Sequence, residues 1–315
     1  MNLITNESLR RPEVLRWHRR IKERYTPPKG IRLTVVLPCS ARKPYSKSKS
    51  HMLFQKYIRM GAKEKLALVH EVMLTSPLGL VPRELESVYP AAHYNVPVTG
   101  YWSREEKDIA VELLADYMKK AGTKLLGHVD GAYREICGEL GIPLTRERIL
   151  SRDSLQELEQ KVSEALEEFV PQKRDKLELL RKICDFQFGI GAGEHLIPDT
   201  ATVRGSQIFL GSEQVAAVNP NNGFFVLSLL GGKLLKEYGK YLVRISFKPT
   251  TNSIFCAGID KADKEIRPGD EAIVIYEGEV VGVGKAVLNG EEMTRAKRGL
   301  GVSLRHLRKQ DRELP

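Results

Sequence analysis

Nowhere in this chain of 315 residues does an apolar run approach the roughly 20 residues that span a bilayer. The first residues also lack the basic-then-apolar pattern of a secretory leader. A cytoplasmic protein with no membrane contact is therefore expected. Cysteine is scarce: Cys39, Cys137, Cys184 and Cys256 lie far apart and form no Cys-x-x-Cys pair. This spacing supports no zinc ribbon, no iron–sulfur cluster and no disulfide framework, and no metal site is expected. The glycine fingerprint of a dinucleotide-binding turn is missing too, which argues against hydride transfer. There is no internal repeat and no low-complexity tract.

Acidic residues are depleted in one place. Residues 1–60 hold 15 Lys and Arg against 3 Asp and Glu, whereas the other 255 hold 35 against 37. A focused positive region is the electrostatic footprint of a polyanion site, with nucleic acid as the expected partner; the alternative is a solvated basic arm. Within that region lies residues 38–51, PCSARKPYSKSKSH. It gathers a thiol (Cys39), two cations (Arg42, Lys43), a phenol (Tyr45), the hydroxyls of Ser46, Ser48 and Ser50, and an imidazole (His51). An apolar run at 33–37 precedes it and an amphipathic helical pattern from about residue 52 follows, which describes a strand, a polar loop and a helix. In open α/β sheets, ligands bind beyond the carboxyl ends of the strands. A cysteine beside cations and close to a helix start suits a nucleophile. The plainer alternative is a buried cysteine followed by a solvated loop.

The rest of the chain divides by texture. Residues 6–25 suit a helix laid on the body with its cations outward. Strands are expected at 68–74, 124–129 and 144–150. Helices are expected from Ser103, where Glu106 three positions on makes a capping box, after Asp130, and over 151–169. Residues 76–84, SPLGLVPRE, are rich in Pro and Gly and read as a long loop. Alternation of this kind indicates a parallel sheet with helices on both faces. A charged helix is expected over 172–187. Short strands follow at 203–210, 214–218 and 224–229, then a helix at 230–238 and a β-rich tail. The expected organisation is an α/β catalytic core over 1–170, a small linking α+β domain over 171–240 and a C-terminal β-barrel over 241–315.

Pro38-Cys39, Lys43-Pro44-Tyr45, Ser48 and His51, at these spacings, resemble the signature of the archaeosine synthase family, paralogues of archaeal tRNA-guanine transglycosylase. The stretches 76–84 and 96–100 are similar to that family as well. The tail resembles a PUA domain, an RNA-binding module, through Phe255-Cys256-Ala257-Gly258, residues 266–271 and residues 282–286. Many members of the family carry a further N-terminal region resembling the transglycosylase barrel, and the chain reads as a short form without it.

The resemblance implies a reaction. Free lysine is joined through its side-chain amine to the nitrile of 7-cyano-7-deazaguanine in the tRNA D-loop, and a radical S-adenosylmethionine partner then cleaves the adduct. No cofactor is expected on this chain; S-adenosylmethionine and an iron–sulfur cluster would belong to that partner. Under this reading Cys39 thiolate adds to the nitrile to give a thioimidate that lysine displaces. Lys43, Arg42 or His51 would hold the thiolate, and Tyr45 or His51 would protonate the nitrogen. Asp130 would deprotonate the amine or bind the base edge, or simply cap its helix. Direct amine addition, with Cys39 only lining the pocket, is the competing route. Ser40, Ser48, Ser76, Pro77, Gly79, Arg83 and Glu84 are the further candidate substrate contacts, and Lys285, Lys297, Arg298 and Arg305 the candidate RNA contacts. A non-catalytic tRNA-binding adaptor and a base-exchanging transglycosylase are the alternative functions. A homo-oligomer is compatible with the sequence.

Overall fold

The strand that feeds the motif, β1 (Leu33–Pro38), is buried along its whole length. A strand apolar on both faces needs a layer on each side, and helices supply them. In a computed structural model, which describes residues 5–94, 101–173 and 175–308, contacts part the chain into two compact units, Met1–Ile190 and Gly191–Pro315.

In the first unit the order is α1 (Thr5–Ser8), α2 (Pro12–Arg24), β1, α3 (Lys49–Ala62), β2 (Val69–Thr75), β3 (Gly79–Pro82), α4 (Arg104–Ala121), β4 (Lys124–Gly127), α5 (Gly131–Glu139), α6 (Arg152–Ala165) and α7 (Lys176–Phe188). The sheet runs β3-β2-β1-β4, with β2 and β4 both parallel to β1 and β3 antiparallel at the edge. The loops after β1, β2 and β4 therefore all leave from one end of the sheet. Ser103 and Glu106 form the expected capping box, and Gly122 closes α4 in the left-handed region. Helices α3 and α6 pack so closely that a methyl group on Gly61 would stand 2.3 Å from the Glu159 carbonyl oxygen.

Three expectations are corrected. Residues 79–82 form an edge strand rather than loop; Gly79 turns the chain at φ +70°, and Pro82 closes a strand whose outer side needs no ladder hydrogen bonds. The strand expected at 144–150 is reduced to one bridge, Leu144 to Gly127, after which Arg148 adopts φ +58°. The cations of α2 do not all point outward. Arg20 and Arg24 are buried and donate to the Gln187 carbonyl of α7 at 3.4 and 2.8 Å, while Trp17 packs on Phe186 with ring centroids 4.8 Å apart. These contacts draw α7 into the first unit, Met1–Ile190.

The second unit contains α8 (Ala192–Leu196), β5 (Thr202–Arg204), β6 (Gln207–Leu210), β7 (Glu213–Val218), β8 (Phe225–Leu227), α9 (Leu229–Tyr238), β9 (Leu242–Ile245), β10 (Ser253–Phe255), β11 (Ile259–Ala262), β12 (Glu271–Tyr276), β13 (Glu279–Ala286), α10 (Gly290–Arg295) and β14 (Leu300–Leu307). The single strand expected at 203–210 is a hairpin, β5 and β6, turned at Gly205 with φ +60°. Strands β5 to β8 form an antiparallel meander, and the six-stranded sheet β10-β14-β13-β12-β9-β11 curls into a half-barrel. Gly232 lets α9 lie against that sheet, where a Cβ would meet Val283 at 2.5 Å.

Candidate functional site

Cys39 is the first residue after β1 and is part-buried. Its sulfur lies 3.0 Å from the hydroxyl of Tyr133, in the first turn of α5. Two chain-distant segments thus meet at the carboxyl ends of β1 and β4. The Lys43 ammonium donates to the Ser40 carbonyl at 2.6 Å and lies 4.6 Å from the ring centroids of both Tyr45 and Tyr94. Burial lowers its pKa, and the nearby Cys39 sulfur works in the opposite direction. The Tyr45 hydroxyl meets that of Tyr94 at 2.8 Å, and Tyr94 in turn bonds Thr75 at the end of β2. Both phenols are almost wholly buried, and that burial pushes both pKa values up. Trp102 meets the Tyr133 ring edge-on with centroids 5.2 Å apart.

His51, in the first turn of α3, has both ring nitrogens engaged. Nε2 bonds the Pro38 carbonyl at 2.9 Å, and Nδ1 faces the Arg83 guanidinium at 3.0 Å. Since Arg83 can only donate, Nδ1 accepts and Nε2 carries the proton. Burial first, then the Arg83 cation, push the His51 pKa down to about 3. A neutral imidazole with both nitrogens occupied neither holds a thiolate nor gives up a proton, so that expected role is not what this geometry offers. His51 instead fixes the peptide that leads into Cys39. Arg83 is held in turn by Glu71 and Glu86, and Glu86 also accepts from the Ser46 backbone at 2.9 Å.

The other candidates divide. Ser48 is the N-cap of α3, accepting from the His51 backbone at 3.2 Å, and Ser40 donates to the Arg42 carbonyl at 2.9 Å. Arg42 is exposed. Asp130 occupies the N-cap position of α5 but makes no capping bond, so the capping reading does not describe it. Ser76 donates to Glu106, whose other oxygen closes the capping box, and the Pro77 carbonyl bonds His18 at 2.8 Å. Glu84 is not a ligand-facing carboxylate. It is buried between the Tyr25 hydroxyl at 2.6 Å and His70 at 2.9 Å. Burial pushes its pKa up, but His70 and the two hydrogen bonds outweigh that and hold it low. Gly79 is also structural, since a Cβ there would stand 2.6 Å from Leu113. Residues 96–100 lie outside the described residues.

In the second unit Lys285, Lys297 and Arg298 are exposed, the latter two in the turn before β14. Arg305 is not available to a phosphate in the same way. It pairs with the buried carboxylate of Glu271, which also accepts from the Leu227 backbone at 2.9 Å. The sequence reading missed Tyr133, Tyr94 and Trp102. The only signal was the position of Tyr133, four residues past the end of the strand expected at 124–129. A hollow of about 530 Å³ at the opposite, amino end of β1 and β4, against Leu33, Lys124 and Ile142, contains none of these groups.

Among protein families, residues 14–162 match a domain of unknown function (DUF5591), residues 178–241 the patch-forming domain C2 of tRNA-guanine transglycosylase, and residues 249–308 the PUA domain. Among curated proteins, the chain is 40% identical over 96% of its length to archaeosine synthase subunit alpha of Thermococcus kodakarensis, of which it covers 55%. It is 41% identical over 97% to the subunit of that name from Methanosarcina acetivorans, covering 51%. A tRNA-guanine(15) transglycosylase of Methanothermobacter thermautotrophicus is 30% identical over 95% of this chain, with 43% of that protein covered. The chain thus spans about half the length of the curated relatives it matches. Among solved structures, that of AF0587, a protein of unknown function, superposes with a TM-score of 0.70 at 26% identity, covering 92% of this chain and 98% of that one.

Proposed function

From a chain that belongs, over nearly its whole length, with the archaeosine synthases, we propose a tRNA-modifying transferase that joins the side-chain amine of free lysine to the nitrile of 7-cyano-7-deazaguanine in tRNA. The observation that carries this reading is the setting of Cys39. It is a part-buried thiol at the carboxyl end of a central strand, beside a partly desolvated ammonium and three phenols, inside the motif that resembles the family signature.

The chemistry follows from those groups. The Cys39 sulfur bonds to the nitrile carbon, one π bond of the nitrile opens, and the nitrogen gains a proton to give a thioimidate. The lysine amine then forms a C–N bond to the same carbon and expels the thiolate, leaving an amidine linked to lysine. Lys43 supplies positive charge to the sulfur from a position fixed by the Tyr45 and Tyr94 rings. His51 and Arg83 hold the Pro38–Cys39 peptide. Asp130, without a capping bond, accepts a proton from the incoming ammonium or holds the base edge. The modified base must leave its stack to reach the sulfur. Cleavage of the adduct belongs to a radical S-adenosylmethionine partner, and no cofactor is assigned to this chain. The exposed Lys285, Lys297 and Arg298 are proposed phosphate contacts.

The test is incubation of the protein with tRNA bearing the nitrile base and labelled lysine. Label is expected in the tRNA with no free base released, and Cys39→Ala is expected to abolish it. With lysine withheld, a covalent adduct between Cys39 and the nitrile base should accumulate. Full activity in Cys39→Ala would leave direct amine addition as the route. Base release without label would indicate a transglycosylase, and neither outcome a tRNA-binding adaptor.

A further inference from the structure

The addition of a thiol to a nitrile needs a proton delivered to nitrogen while one is removed from sulfur, and the groups around Cys39 differ in their freedom to do so. Both nitrogens of His51 are occupied by Pro38 and Arg83. Tyr45 and Tyr94 are bonded to each other and to Thr75, beneath the surface. Lys43 donates to the Ser40 carbonyl and lies against two rings. Tyr133 differs from all of these, because its hydroxyl, whose oxygen also accepts from the Trp102 indole N–H, lies 3.0 Å from the Cys39 sulfur itself.

We propose that Tyr133 is the proton carrier of the addition step, a role that rests on the reaction proposed above. As sulfur bonds to the nitrile carbon, the Tyr133 oxygen takes the thiol proton and passes its own to the nitrile nitrogen. One S–H bond and one C–N π bond break, one S–C and one N–H bond form, and the tyrosine is unchanged. The geometry suits this exchange, because the nitrogen of a thioimidate is two bonds from sulfur. A hydroxyl in contact with the sulfur therefore reaches the nitrogen as well. Tyr133 sits in the first turn of α5, only 7% exposed, with Trp102 against its ring. A ring fixed by packing loses no orientation when the substrate arrives. Burial, with the Cys39 charge second, raises its pKa, which keeps the phenol protonated between turnovers.

The test uses the full chain, tRNA bearing the nitrile base and labelled lysine. Tyr133→Phe is expected to lower kcat for lysine incorporation by about 100-fold, within the usual range for a lost acid–base group. The KM values for tRNA and for lysine should stay within about twofold. Adduct formation on Cys39 without lysine should slow by the same factor. 3-Fluorotyrosine at position 133, which keeps the hydroxyl, should restore most of the rate and shift its pH profile with the more acidic phenol. An unchanged kcat in Tyr133→Phe overturns the assignment. Should that variant fail to fold, a rate and pH profile untouched by 3-fluorotyrosine overturn it instead. Absence of incorporation by the unaltered protein overturns the underlying reaction, an outcome distinct from either of these.

Discussion

Arg83 shows how much a single side chain carries at this site. Its guanidinium satisfies two part-buried carboxylates, Glu71 and Glu86, and donates to the Nδ1 of His51. Removing it leaves two acids uncompensated in a poorly solvated place, which costs more than the pairs contribute when intact. Arg83→Ala is expected to lower unfolding free energy by about 3 kcal/mol, read from urea denaturation midpoints. It should also release the constraint on the Pro38 carbonyl. Lysine is no substitute, since it cannot reach three acceptors from one planar group. The neighbouring Glu84 illustrates the limit of reading a loop by position. It looked like a ligand-facing acid, yet its oxygens are taken by Tyr25 and His70.

At the scale of elements, Gly61 sets the distance between α3 and α6. Alanine is intrinsically better in a helix by about 1 kcal/mol, but its methyl would collide with the Glu159 carbonyl and also press on Val162. Overpacking against backbone costs about 1–3 kcal/mol, so Gly61→Ala is expected to lower the melting temperature, measurable by circular dichroism. The helices and central strands were legible because apolar runs at 33–37 and 68–74, and the Ser103 cap, each carry a local physical signal. Strand β3 was not, since Gly79, Leu80, Val81 and Pro82 have turn composition and gain strand character only by pairing with β2. The Cys39 loop was legible from its density of polar types after an apolar run. Tyr133 and Tyr94 were not, because their relation to Cys39 and Lys43 arises from tertiary contact across distant segments. The arginines of α2 misled for a related reason: a long side chain turned inward reads the same in sequence as one in solvent.

Across the whole molecule, acid is the expected weak point. His51 and His128 are fully buried, and burial lowers their pKa values to about 3 and about 4, from 6.5. The unfolded chain takes up protons at these sites well before the folded one does. Stability is therefore intact above pH 6.5 and is lost as pH falls from there toward 4, by about 1.4 kcal/mol per histidine per pH unit. Denaturation midpoints should drop between about pH 7 and about pH 5. His128→Asn should flatten that dependence, whereas a midpoint unchanged across the range would contradict it. A different consequence follows from the chain of contacts that ends at the Pro38 carbonyl. The peptide that presents Cys39 is fixed through His51 to Arg83, and through Arg83 to Glu71 on another strand and to Glu86 beyond the edge strand. The fourteen-residue motif is therefore not a portable cassette. Moved onto another strand, loop and helix, it would carry its thiol but leave its alignment behind.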